Sequence, residues 1–250
     1  MDQEIPLSGG NASAGVVRVG ETVRKPWTEH SLGVLAYMRI LRDRGVDLPE
    51  PIGRDEQGRM ITEFVPGGLA LHSPALTRPQ LAHVGGMVRK IHDASEGLDA
   101  DELGLGSALI PVADPDLVCH GDLTPWNLIL GERWVFIDWD GAAVSTRAWD
   151  LAYSAQAFTI NGDTVDPAVG AQDLRVFVDG YGADDALRRD VAGMLARRAG
   201  AMYELLERSH REGREPWGSM FVEGHGDHWR GIALFLEEHQ RVWEDALLDG

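Results

Sequence analysis

Val118-Cys119-His120-Gly121-Asp122-Leu123-Thr124-Pro125-Trp126-Asn127-Leu128-Ile129-Leu130, followed after the turn Gly131-Glu132 by Val135-Phe136-Ile137-Asp138-Trp139-Asp140, is the stretch on which the reading of this chain turns. Two apolar, strand-like runs bracket a polar loop. In that loop a carboxylate, Asp122, precedes an amide, Asn127, by five residues, and a second carboxylate, Asp138, ends the next strand. A hairpin through Gly131-Glu132 returns Asp138 to the end of the strands that carries Asn127.

Residue types at this spacing meet the demands of phosphoryl transfer. One carboxylate must orient the attacking hydroxyl and accept its proton, and further oxygen ligands must hold Mg²⁺ against the phosphates. Asp122 suits the first task. Magnesium is a hard ion that binds one or two carboxylates plus substrate phosphates, so Asn127 and Asp138 suffice as protein ligands.

The same residues carry a resemblance. His120-Gly121-Asp122 followed by Asn127 is similar to the catalytic loop of the aminoglycoside phosphotransferase and choline kinase superfamily, a variant of the protein-kinase H-R-D-x-x-x-x-N. Ile137-Asp138-Trp139 resembles that superfamily's counterpart of D-F-G. Trp149-Asp150-Leu151-Ala152 resembles its D-L-A segment. A Gly-Asp turn between strands is common by itself, and the chain holds its own control. His225-Gly226-Asp227 repeats the tripeptide, yet Ile232 stands five residues on and no strand ending in Asp follows. That copy reads as a turn before the last helix.

Composition narrows the classes. The 250 residues are 44% hydrophobic and 25% charged, ordinary for a globular protein with a sizeable core. Cys119 is the only cysteine, which excludes an internal disulfide and a thiolate metal cluster. Met1-Asp2-Gln3-Glu4-Ile5-Pro6 lacks the basic start and apolar stretch of a signal peptide, and a cytoplasmic protein is expected. Against 23 basic residues stand 40 acidic ones, a formal charge of -17. Nucleic acid and anionic membranes are thereby disfavoured as partners, while a cationic small molecule is compatible.

Upstream of the loop, Gly10-Asn11-Ala12-Ser13-Ala14-Gly15-Val16-Val17 reads G-x-A-x-x-G-x-V, close to the kinase loop that covers the nucleotide phosphates. Gly10, Asn11, Ala12 and Gly15 are its candidate phosphate contacts. Thr22-Val23-Arg24-Lys25 alternates as a strand, so Val23 and Lys25 share one face and Arg24 takes the other. V-x-K matches the strand whose lysine reaches the phosphates. A register slip of one residue would exchange Lys25 for Arg24. Trp27 through Arg44 reads as an amphipathic helix with Leu32, Leu35, Met38 and Leu41 on its apolar face. Kinases place in this helix a glutamate that holds the lysine; here the only glutamate is Glu29, at the very start.

Two strand candidates flank the turn Asp55-Glu56-Gln57-Gly58, the second being Met60 to Val65. It ends at Pro66-Gly67-Gly68 and resembles the hinge whose backbone reads adenine. Pro66 cannot donate, which leaves the Glu63 carbonyl and the Val65 N–H. From Thr77 a helix follows with Leu81, Val84, Val88 and Ile91 on one face. Beyond Asp150 the sequence reads as overwhelmingly helical, with one stripe from Leu187 to Leu205 and another from Trp229 to Leu247. Acidic residues such as Glu204, Glu207, Glu223 and Asp227 are distributed through it.

The expectation is an α+β, bilobal protein-kinase-like fold. A nucleotide-binding lobe of antiparallel sheet plus one helix spans 1–66, and a mostly helical catalytic and acceptor-binding lobe spans 67–250. The resemblance implies transfer of the γ-phosphoryl of ATP or GTP to a hydroxyl of a small, cationic-compatible acceptor such as an aminoglycoside or amino alcohol. Asp122 is the expected base, His120 its supporting neighbour, Asn127 and Asp138 the Mg²⁺ ligands, and Lys25 the phosphate anchor. Only ten residues separate Asp138 from Trp149, too few for an activation loop that docks a peptide. The competing reading is a nucleotide-binding, degenerate kinase with a regulatory role. No sequence pattern assigns an oligomeric state.

Overall fold

The computed structural model describes residues 3–7 and 15–248. Gly10, Asn11 and Ala12 lie outside the described residues. The chain divides into two compact units: residues 1–74, 91–109 and 116–144 form the first, and 75–90, 110–115 and 145–250 the second.

The first unit opens with β1 (Glu4–Pro6), β2 (Val17–Val19) and β3 (Thr22–Lys25), then α1 (Ser31–Asp43), β4 (Pro51–Arg54) and β5 (Met60–Glu63). The five strands make an antiparallel sheet in the order β1-β2-β3-β5-β4. Thr22 pairs with Glu63 and Lys25 with Met60, a register that the β4–β5 hairpin supports. Gly58, at φ 81°, supplies the left-handed residue of that hairpin, and its N–H donates to the Asp55 carbonyl at 3.0 Å.

α1 is shorter than the expected Trp27–Arg44, and its buried face differs from expectation. Val34, Leu35, Tyr37, Met38 and Leu41 are buried, whereas Leu32 is 65% exposed. Val34 and Tyr37 complete a stripe at spacings of three and four, and Leu32 falls beside it. The helix ends where the Val46 N–H reaches back to the Leu41 carbonyl and Gly45, at φ 89°, leaves the helical region.

After β6 (Gly68–Leu69) the chain enters α2 (Arg78–Ser95), with Leu81, Val84, Val88 and Ile91 all buried. Next come the short α3 (Ala100–Leu103) and the strands β7 (Leu117–Cys119), β8 (Leu128–Leu130), β9 (Trp134–Phe136) and β10 (Ala143–Ser145). β6, β8 and β9 form a three-stranded sheet, and β7 pairs with β10. Val65, Ile129 and Val135 are its buried apolar cluster, with Leu69 and Ile137 packed against them.

The second unit is helical: α4 (Arg147–Thr159), α5 (Pro167–Tyr181), α6 (Asp185–Glu212), α7 (Trp217–Met220), α8 (Gly226–Glu238) and α9 (Gln240–Leu248). Asp166 and Asp184 cap α5 and α6 by accepting backbone N–H bonds. Trp229, Ile232, Leu236, Trp243 and Leu247 are buried as the periodicity predicts. They do not lie on one helix, because the chain leaves helical geometry at His239 and restarts as α9. Gly226 and Asp227 of the second His-Gly-Asp stand in the first turn of α8.

Candidate active site

β7 is buried throughout and delivers His120 at its end. The chain then reverses at Gly121, with φ 81°, and a Cβ built there would stand 3.1 Å from the Gly141 carbonyl oxygen. Only glycine meets both conditions without strain. Thr124 is buried, and Pro125–Asn127 makes a single 3₁₀ turn that runs into β8. β8 and β9 pair Leu128 with Phe136, and the Ile137 N–H donates to the Asn127 carbonyl at 2.8 Å. The pairing thus carries on one step past the strands and sets Asp138 beside the 120–127 loop.

Within this loop Asp122 is the common acceptor. Its Oδ2 receives Asn127 Nδ2 at 2.7 Å and Trp126 Nε1 at 3.1 Å, and its Oδ1 receives Thr124 Oγ1 at 3.3 Å. Asn127 Nδ2 also donates to the Asp122 carbonyl at 3.0 Å. The amide nitrogen is consumed inside the loop, and the amide oxygen is the atom Asn127 could offer to a ligand. The Asp122 N–H donates to His120 Nδ1 at 3.2 Å, so that nitrogen acts as an acceptor. Its Nε2 therefore carries the proton and donates to the Ile137 carbonyl at 3.1 Å. His120 is completely buried between the loop and the Asp138 segment, and couples them by two bonds.

Asp138 adopts a left-handed conformation, φ 63° and ψ 60°. For a non-glycine residue this costs about 1–2 kcal/mol, with Asp among the residues that tolerate it. Strain of this kind persists where the surroundings over-determine it, and it concentrates at functional sites. Here Trp139 does the determining. It is 2% exposed, donates Nε1 to the Phe136 carbonyl at 3.0 Å, and meets the His120 ring edge-on at 4.5 Å.

Lys25, the last residue of β3, brings the five-stranded sheet to this site. Its Nζ lies 3.2 Å from Asp138 Oδ1 and 2.8 Å from Asp140 Oδ2. Burial by itself pushes the Lys25 ammonium toward a lower pKa. The Asp138 and Asp140 carboxylates outweigh it, and the pKa is raised above the ordinary 10.5. Arg24 takes the opposite face, where it binds Thr22 Oγ1 at 2.6 Å and Asp55 at 3.4 Å. The alternation between the two basic residues is thus decided in favour of Lys25 at the site.

Asp122, His120, Asn127, Asp138 and Lys25 are brought together. Gly15, at φ 83°, stands ahead of β2. Glu63 and Val65 sit at and just beyond the end of β5. The Glu63 side chain binds Arg133 at 2.7 Å and the Glu50 N–H at 3.0 Å, while Val65 is buried against Ile129 and Val135. Glu29 lies ahead of α1, is largely exposed, and is 3.7 Å from His30. Three residues escaped the sequence reading: Trp126 and Thr124, which donate to Asp122, and Asp140, the second carboxylate on Lys25. For Asp140 a signal was present, the Asp-Trp-Asp repeat itself.

Residues 98–191 match the model of the phosphotransferase enzyme family. No curated protein sequence matches the chain. Among solved structures, a choline/ethanolamine kinase family protein from Mesorhizobium loti superposes with a TM-score of 0.64 at 17% identity, covering 99% of this chain and 93% of that one. An amicoumacin kinase, solved in complex with AMP-PNP, Ca²⁺ and Ami, gives 0.64 at 14% identity over 96% of this chain and 88% of its own. An ethanolamine kinase from Plasmodium vivax gives 0.62 at 14% identity over 94% and 82%. The fold is the α+β, kinase-like one expected, and the resemblance to the aminoglycoside phosphotransferase and choline kinase superfamily is borne out.

Proposed function

We propose that this protein is a small-molecule kinase that transfers the γ-phosphoryl of ATP or GTP to a hydroxyl of a small acceptor. The observation that carries the reading is the joining of Asp122 to Asn127 at 2.7 Å in one loop, with Lys25 held between Asp138 and Asp140 beside it. A general base, an amide oxygen, two further carboxylates and a cation meet, and phosphoryl transfer uses that set.

Asp122 takes the acceptor's hydroxyl proton as the oxygen attacks the γ-phosphorus and the bond from that phosphorus to the bridging β–γ oxygen breaks. Its bonds from Asn127, Trp126 and Thr124 fix the carboxylate's orientation, which matters because a positioned base contributes through geometry. His120 acts through the loop and exchanges no proton with substrate; both its nitrogens are already bonded to backbone. The donor set is all hard oxygen, and the Asn127 amide is turned so that its oxygen is the one to spare, which fits Mg²⁺. Asn127 and Asp138 would hold the ion, which when bound neutralises charge on the phosphates. Lys25 offers its ammonium to the α- and β-phosphates. Gly10, Asn11, Ala12 and Gly15 are assigned to the phosphate cover, and the Glu63 carbonyl and Val65 N–H to the adenine edge. The assignment keeps a nucleotide lobe over 1–66, a catalytic and acceptor lobe over 67–250, and a cytoplasmic setting.

The acceptor class is argued from charge. A protein of formal charge -17 favours a cationic amine such as an aminoglycoside or amino alcohol. No described helix is long and apolar enough to cross a membrane. That Lys25 is held by two carboxylates supports the enzyme over the regulatory reading. The test is nucleotide turnover with Mg²⁺ across a panel of aminoglycosides, amino alcohols and sugars. Acceptor-dependent release of ADP or GDP is the expected result. Tight nucleotide binding with no turnover on any acceptor would favour the regulatory protein.

A further inference from the structure

In protein kinases the phosphate-binding lysine is kept in place by a glutamate of the helix that follows its strand. Among the described residues, the helix that follows β3 offers none for that task. α1 contains no glutamate, and its one carboxylate, Asp43, stands at the C-terminal end. Glu29 precedes the helix and is 87% exposed. We propose that Asp140 takes over this task as a positioning residue, holding Lys25 toward the phosphates. The proposal rests on the kinase reading above.

Distance and mechanics both point to Asp140. Of the two carboxylates on Lys25, Asp140 is the nearer, at 2.8 Å against 3.2 Å for Asp138. Asp138 is the assigned metal ligand, and a carboxylate engaged with a divalent cation has less charge to offer an ammonium. A lysine held by Asp138 alone would face that cation unsupported. Asp140 supplies a second carboxylate two residues away, outside the assigned metal ligands. Its backbone is fixed in the 3₁₀ turn Trp139–Gly141, closed by the Ala142 N–H on the Trp139 carbonyl at 3.1 Å. Trp139 anchors that turn on His120 and, at 5.8 Å, on Tyr37 of α1. The lysine clamp and the metal ligands therefore belong to one hairpin and are assembled together. The α1 contact that remains is an aromatic one in place of an ion pair.

The test is a double-mutant cycle of Lys25→Met and Asp140→Asn, with Asp140→Glu as the conservative variant and Asp140→Ser in reserve if the asparagine variant fails to fold. Two readouts are needed. The first is thermal unfolding of the nucleotide-free protein, in which the two changes should cost less together than the sum of each alone. The second is Mg²⁺-dependent transfer together with affinity for a non-hydrolysable ATP analogue. Asp140→Asn should lower kcat by roughly ten- to a hundredfold, the scale of a misplaced reacting group. Acceptor KM and the Mg²⁺ requirement should not move, and Asp140→Glu should recover part of the rate. In the Lys25→Met background Asp140→Asn should cost nothing further, since the carboxylate then has no lysine to position. Equal losses in both backgrounds, additive unfolding effects, or a shifted Mg²⁺ requirement would overturn the proposal, the last by making Asp140 a metal ligand. Wild-type protein that binds no nucleotide analogue would refute the kinase reading itself, a result distinguishable from the others because it appears before any substitution is made.

Discussion

Asp122 receives three side-chain donors, and each fixes the direction in which its carboxylate can accept a proton. Replacing it with asparagine keeps size and shape but removes the base. Asp122→Asn should retain the fold and nucleotide affinity while turnover falls by about 10²- to 10⁴-fold, the usual worth of a positioned general base. A steady-state assay beside a binding titration checks this; an unchanged rate removes Asp122 from the role. The two neighbouring cations of β3 should part company in the same assays. Lys25→Ala should raise the nucleotide KM and slow transfer, because it removes an ammonium set among carboxylates in a partly dehydrated site. On the opposite face of the strand, the Arg24 side chain is only 16% exposed and is tied to Thr22 and Asp55. Arg24→Ala should therefore lower the melting temperature and leave nucleotide KM unchanged.

Among the elements, two junctions depend on a contact that a single substitution can test. α2 and α5 cross inside the second unit at glycines. A Cβ on Gly85 would strike the Phe177 carbonyl oxygen, and one on Gly180 would strike the Ala82 carbonyl oxygen. Each lies in a helix, where alanine would be preferred by roughly 1 kcal/mol if nothing were near. Gly85→Ala should instead destabilise the protein by about 1–3 kcal/mol, the cost of forcing extra volume into a packed junction. Urea denaturation reads the sign directly. The second junction joins β5 to the β8–β9 turn through Glu63 and Arg133. Burial by itself would raise the Glu63 pKa, but the Arg133 guanidinium and the Glu50 N–H outweigh it and hold the carboxyl below the ordinary 4.5. A depressed carboxyl pKa contributes stability above the unfolded value and loses it as pH falls through the folded one. The stability gap between wild type and Arg133→Gln should thus be constant above about pH 5 and should close at lower pH. A gap that stays open to pH 3 would mean the pair carries no charge-dependent stabilisation.

At the scale of the whole molecule the formal charge of -17 acts on every ligand that approaches. An acceptor amine would bind through attraction that salt screens over roughly 8 Å at physiological ionic strength. Its KM should climb as NaCl is added, while that of anionic Mg-ATP should hold or fall. Should the best acceptor be uncharged with a salt-insensitive KM, the cationic assignment falls and the kinase reading stands. The sequence by itself determined the hairpin from His120 to Asp138, because its chemistry is local. Strand alternation, one glycine turn and a five-residue spacing place Asp122, Asn127 and Asp138 with no help from distant residues. Helical periodicity likewise located α2 and the apolar stripes of the second unit, although it ran α8 and α9 together, since a stripe continues in phase across a short break. Only the tertiary structure decided which basic residue of β3 faces the site. Lys25 meets Asp138 across 113 residues of chain, a contact that no local pattern specifies. The Asp-Trp-Asp repeat marks Asp140 in the sequence, but its task does not show there: a carboxylate becomes a clamp only when a cation is brought to it, and the cation comes from another sheet.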